Sequence, residues 1–169
     1  EEFILASLRE VLDAPDEIFT MLSAVDLVFG TVSDGGEDKP LTHGTFIQFL
    51  ESEDREVRRE AYEKLYGEYE KHNNTISTIY STNVKSDVIA AQLRHYDSAR
   101  SAAMSDNNIP VSVYDNMIDS VHEYLPSMHR YVSIRRRALG LDSMKMYDVY
   151  KPLVKPLDVR YTFEEAVDI

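Results

Sequence analysis

"DREVRREAYEKLYGEYEKHNNTISTIYSTNVKSDVIAAQLRHY", residues 54–96, decides the fold class. Val57, Ala61 and Leu65 recur at i, i+4 and i+8, with Tyr62, Tyr66 and Tyr69 beside them, and Glu60/Lys64 places the acid on the favoured side of an i,i+4 pair. Ile76, Tyr80, Val84 and Val88 continue the stripe after the polar "HNNT". The stretch predicts either one long helix or two broken near Asn73 and Asn74. The tyrosine row reads as a core-to-surface stripe, with rings buried and hydroxyls wet.

Helical patterning extends outward from there. Phe3, Ile4, Ala6, Leu8, Val11 and Leu12 form an apolar stripe, and Pro15 at a first-turn position predicts a second helix to about Val28. "GTVSDGGEDKPLTHG" (30–44) is the one glycine-rich stretch, and Asp34-Gly35-Gly36 predicts a small hairpin or exposed loop. Its acids oppose a phosphate-binding role. Thr42 is placed to cap a short helix carrying Phe46, Ile47, Phe49 and Leu50.

Pro110 predicts the start of a helix over 111–124, and a further helix runs from Pro126 to Leu139 with Gly140 as its left-handed terminator. "MKMYDVYKPLVKPLDVRYT" (144–162) reads as an irregular or edge-strand connection, and Thr162/Glu165 open a last helix at capping-box spacing. No strand–helix alternation occurs. The expected class is all-α, an antiparallel helical bundle with one short β-hairpin or loop near residues 30–42.

Composition excludes several functions. The chain has 169 residues, 43% of them hydrophobic, so it can bury a core. It has no cysteine, which removes disulfides, thiolate metal sites and cysteine nucleophiles. Thirty acidic against eighteen basic residues give a net charge of −12, which opposes nucleic acid and anionic membranes as partners. The basic "HRYVSIRRR" (129–137) reads as a solvated helix end. No run approaches a membrane span, and a cytoplasmic setting is expected. The chain opens in helical rhythm without methionine and stops soon after a helix start, so a segment of a longer protein is expected.

The candidates for chemistry are few. "SVHEYLPSMHRY" (120–131) opens like the zinc-protease motif H-E-x-x-H, but Pro126 stands four residues after His122 and the next histidine is His129. Seven residues separate their backbones by roughly 10 Å along a helix, too far for two ligands that each sit ~2.0 Å from one zinc ion. His43 reads as a side chain bonded to a helix terminus, His72 as solvated, and His95 as a ring meeting the dipole at a helix end. No catalytic, cofactor-binding or metal residue is expected in this chain.

An ordered string of longer motifs says more. "SEDREVRREAYEKLYGEY" (52–69), "RHYDSA" (94–99), "NIPVSVYDN" (108–116), "MHRYVSIRRRALGL" (128–141) and "YTFEEAV" (161–167) together resemble oligoendopeptidase F, among the thimet-oligopeptidase-like zinc metallopeptidases. Met128 stands where that resemblance implies leucine. "MYDVY" (146–150) is similar to an aromatic-Asp junction segment, with Lys145 in place of a histidine.

The resemblance implies a mostly helical enzyme that cleaves short peptides in an internal channel, with zinc held by residues beyond this chain. It implies that residues 1–125 precede the catalytic domain and that 126–169 begin it. His129, Arg130, Tyr147 and Asp148 become candidates for the substrate channel or the domain junction, with an Arg130–Asp148 ion pair as the structural reading. Truncated helices also imply self-association through the uncovered face. The rival is a stand-alone helical interaction domain without catalytic activity.

Overall fold

The computed structural model describes residues 2–154 and 161–167, and among them the fold is mainly α with one two-stranded antiparallel hairpin, as expected. The order is α1 (Glu2–Met21), a π-turn (Leu22–Asp26), β1 (Thr31–Asp34), β2 (Glu37–Pro40), α2 (His43–Leu50), α3 (Arg55–Lys71), α4 (Asn73–Leu93), α5 (Ala99–Ser105), α6 (Val111–Ala138), a 3-10 turn (Met146–Asp148) and α7 (Phe163–Val167).

Local chemistry explains the hairpin and its neighbours. Gly35 and Gly36 both lie at positive φ, 64° and 84°, the conformation a two-residue turn between twisted strands requires. Asp34 then pairs with Glu37 and Val32 with Lys39. Thr42 caps α2 reciprocally: its side chain accepts from the Thr45 N–H while the Thr45 hydroxyl accepts from the Thr42 N–H at 2.9 Å. The last helix opens by the same device, with Thr162 and Glu165 bonded in both directions.

The core lies where the hairpin meets α2 and α3. Leu27, Phe29, Val32 and Leu41 from the hairpin region pack with Phe49 of α2 and with Val57, Ala61 and Leu65 of α3. Those last three are the repeat at i, i+4 and i+8, and all are buried. Outside this cluster α1 lies along α4, and α5 bridges α4 to α6.

Two segment boundaries differ from the sequence reading, and a third resolves between the alternatives it offered. Pro15 does not start a helix; it is buried inside α1, which runs unbroken to Met21. Packing against α4 holds the helix together across the one hydrogen bond that the proline removes. Pro126 likewise sits inside a continuous 28-residue α6 instead of starting a new helix. Both Pro126 and His122 are exposed there, so water can serve the carbonyl that lacks its amide partner. The α3–α4 alternatives resolve as two helices meeting at His72, whose φ −104°, ψ 11° is not helical.

Other features agree with the sequence or go beyond it. Gly140 has φ 65° and ends α6 as read. His95 is itself the left-handed residue (φ 59°) after α4, with its N–H on the Gln92 carbonyl. The short α5, capped by Ser98 on the Ser101 N–H, has no counterpart in the sequence reading. The 144–162 connection contains a 3-10 turn and no strand among its described residues; 155–160 lie outside them, as do the side chains of Phe3, Ile4, Ala6 and Leu8.

Candidate functional site

Two constellations stand out, an ion cluster at Asp148 and an aromatic cleft on α3. The ion cluster begins with a local conflict. Arg55 and Arg58 occupy the first turn of α3, where a cation opposes the positive end of the helix dipole. Asp54 caps that end through the Glu56 N–H at 2.9 Å, and the fully buried Asp148 supplies the opposing charge.

Asp148 is saturated with donors. Arg55 donates Nε to Oδ1 at 3.1 Å and Nη2 to Oδ2 at 2.9 Å, while Arg58 donates Nη2 to Oδ1 at 3.1 Å. The Lys145 N–H reaches Oδ2 at 3.0 Å. Burial pushes the Asp148 carboxyl up, but the Arg55 fork, the Lys145 amide and Arg58 outweigh it and hold the group below its ordinary range. The same fork raises the Arg55 guanidinium. A carboxylate with both oxygens occupied has no lone pair directed at a substrate, so Asp148 acts here as a structural anchor.

Aromatic and polar contacts extend the anchor. The Arg55 guanidinium lies 5.2 Å from the Tyr147 ring centre, and Tyr147 meets Tyr62 edge-on at 5.9 Å. The buried Arg58 also donates to the Ser52 and Glu53 carbonyls at 2.8 and 3.1 Å. Buried Lys151 donates to Glu53, and the Lys151 carbonyl accepts from buried Arg135 at 2.5 Å. The segment 145–151 is thus tied to the start of α3 and to the C-terminal part of α6.

The four sequence candidates separate. Tyr147 and Asp148 meet in this cluster, while the His129 and Arg130 side chains lie exposed on α6, away from it. The expected Arg130–Asp148 ion pair does not form, because Arg55 and Arg58 already fill the carboxylate. Arg55 and Arg58 were missed as site residues although they lie in the quoted motif "DREVR"; their spacing of three on a first turn was the available signal.

The second constellation is a cleft of about 1040 Å³ where α3 faces α2, floored at one end by Phe19 of α1 and Ile76 of α4. His43 was expected to bond a helix terminus. Thr42 already caps that terminus, and His43 Nε2 instead shares a 2.8 Å hydrogen bond with the Tyr69 hydroxyl. Both rings pack on Phe29, His43 edge-on at 5.0 Å and Tyr69 stacked at 6.0 Å. Burial raises the Tyr69 hydroxyl further above neutrality, so it stays protonated. The tyrosine row matches the core-to-surface reading: Tyr69 packs against the core and Tyr66 is 49% exposed.

Neither constellation suits the zinc ion that the sequence resemblance implies. Among the described residues no group of three or more His, Asp or Glu is placed to hold a metal ion. His122 and His129 project from exposed α6 without a third donor. No helix among the described residues is long and apolar enough to cross a membrane.

Comparison with known proteins places the chain in a family. The profile described as Peptidase family M3 matches residues 48–168. The chain is 44% identical to oligopeptidase PepF of Bacillus subtilis (strain 168) and 45% identical to group B oligopeptidase PepB of Streptococcus agalactiae. Each alignment covers 99% of this chain, but only 25% and 28% of those relatives, so the chain spans about a quarter of their length. The crystal structure of oligoendopeptidase-F from Enterococcus faecium superposes with a TM-score of 0.87 at 42% identity, over 90% of this chain and 30% of that one.

Proposed function

Because the chain belongs to Peptidase family M3, we propose that it forms part of a zinc oligopeptidase that hydrolyses short peptides, and that it contributes to the wall of the substrate channel. The observation that carries this reading is similarity over 99% of this chain to proteins named oligopeptidases, of which it spans about a quarter. On this reading the zinc is held by residues outside this chain, and the chain alone does not hydrolyse peptides.

Within that role the candidates divide by burial. His129 and Arg130, exposed on α6, are assigned to the channel side. Tyr147 and the fully buried Asp148 are assigned to the junction, which locks the 145–151 segment onto α3. The boundary between the upstream helical region (1–125) and the start of the catalytic region (126–169) then falls inside α6, a continuous helix that would act as a rigid connector. A cytoplasmic location and self-association of the isolated chain belong to the same proposal.

The test is hydrolysis of a short quenched fluorescent peptide by this chain and by a full-length parent, each with added zinc. Activity in the parent alone, abolished by a chelator, is the expected result. Chelator-sensitive activity in the isolated chain would overturn the assignment of the metal site to other residues. An inactive parent would favour a helical interaction domain.

A further inference from the structure

The α3 wall of the aromatic cleft is built from two parallel rows. Tyr62, Tyr66 and Tyr69 recur at i, i+4 and i+7, and Glu63, Gly67 and Glu70 repeat that spacing one residue on, rotated by about 100° around the helix. The tyrosine row presents ring surface. The Tyr62 and Tyr66 centroids lie 4.4 Å apart, and Phe46 of α2 meets Tyr66 edge-on at 6.2 Å.

The second row presents negative charge over an open floor. Glu60 and Glu68 on the same helix are engaged by Lys64 and Lys71, whereas Glu63 and Glu70 form no ion pair among the described residues. Between them Gly67 has nothing within 4 Å of the place a Cβ would occupy, so the gap between the two carboxylates is free for a ligand.

Aromatic faces flanked by unpaired carboxylates attract an organic cation, and a net charge of −12 favours the same sign of ligand at longer range. We propose that this cleft binds the cationic side chain of a peptide, arginine above all. A guanidinium can stack flat on Tyr66 while it donates forked hydrogen bonds to Glu63 or Glu70, a combination that the compact ammonium of lysine reproduces only in charge. The inference takes the peptide nature of the ligand from the function proposed above, but it concerns binding to this chain and does not depend on hydrolysis.

The test is a titration of the 169-residue chain with acetyl-Ala-Ala-Arg-Ala-Ala-amide and with the same peptide carrying citrulline, followed by ¹H–¹⁵N NMR. The expected result is saturable shifts centred on Tyr62, Tyr66 and Gly67 for the arginine peptide, with affinity at least about tenfold weaker for citrulline, the difference between cation and neutral isostere. The double variant Glu63→Gln/Glu70→Gln should lose about the same factor, and Glu60→Gln, whose carboxylate faces Lys64, should retain binding. Equal affinity for both peptides, or shifts elsewhere on the chain, would overturn the proposal. So would line broadening of the same residues with protein concentration alone, which would assign the cleft to a second copy of the chain. Loss of peptidase activity in a parent would refute the function proposed above without altering this binding result.

Discussion

Arg55 and Asp148 stand 93 residues apart in sequence and meet in a fork, with two nitrogens of one guanidinium on the two oxygens of one carboxylate at 3.1 and 2.9 Å. The fork is asymmetric in exposure: the Arg55 side chain is 39% exposed and Asp148 is not exposed at all. Its energetic weight therefore rests on the buried member and on Arg58, which is also buried and shares Oδ1.

Asp148→Asn should destabilise the chain by about 3–5 kcal/mol, because it leaves Arg58 with an uncompensated buried charge. Arg130→Ala, on an exposed and unpaired side chain, should change stability by less than about 0.5 kcal/mol. Urea unfolding followed by circular dichroism measures both. A shift of equal size in the two variants would refute the assignment of the junction charge to α3.

The acid side of the stability profile should carry the same signature. The folded Asp148 carboxyl titrates below its ordinary 3.8, so above about pH 5 both folded and unfolded chains hold it ionised and its full contribution is present. As pH falls through 3.8 the unfolded chain takes up the proton first, and the contribution is lost progressively towards the lower folded value. Urea midpoints between pH 3 and 7 should therefore fall less steeply below pH 4 in Asp148→Asn than in the wild type. Parallel profiles would count against the depressed value.

Pro126→Ala restores an N–H inside exposed α6, where proline costs about 3 kcal/mol relative to alanine. That figure already includes the restriction proline places on the unfolded chain, so a gain of up to about 3 kcal/mol is expected. The urea midpoint gives the energy, and protection of the new amide at position 126, which the wild type lacks, would locate it. A loss of stability would show that the proline serves a bend that α6 needs.

Thr42→Ala removes the acceptor for the Thr45 N–H at the start of α2 and should cost about 1 kcal/mol, while Thr42→Ser should retain most of it. Thermal unfolding of the pair checks this. Equal losses would trace the effect to the threonine methyl and not to the cap.

The sequence was legible wherever the determinant was local. Gly35-Gly36, Thr42, Gly140 and the Thr162/Glu165 pair each act within a few residues, and each forms the turn or cap that its chemistry dictates. The two prolines misled the reading because a helix interior tolerates one when packing or water compensates, as α4 does for Pro15 and solvent for Pro126. Partner choice was the least legible feature. Nothing in "MYDVY" marks Arg55 and Arg58 as the cations Asp148 meets, since that pairing depends on how α4, α5 and α6 return the chain to α3. The cleft was half legible: the tyrosine spacing was plain, but the His43–Tyr69 bond that closes one end joins residues 26 apart on two helices.

The span of the Arg55–Asp148 fork also sets when it can form. Closing a flexible loop of that length costs about 4 kcal/mol in chain entropy, which offsets most or all of the roughly 3–6 kcal/mol that the two charge-assisted hydrogen bonds of the fork contribute. Formed alone, the fork brings little net gain, and it is expected to close after the intervening helices have shortened the path. Stopped-flow measurements on Asp148→Asn should find the refolding rate close to wild type and the unfolding rate raised, so that the junction governs how long the folded chain persists and not how fast it is reached.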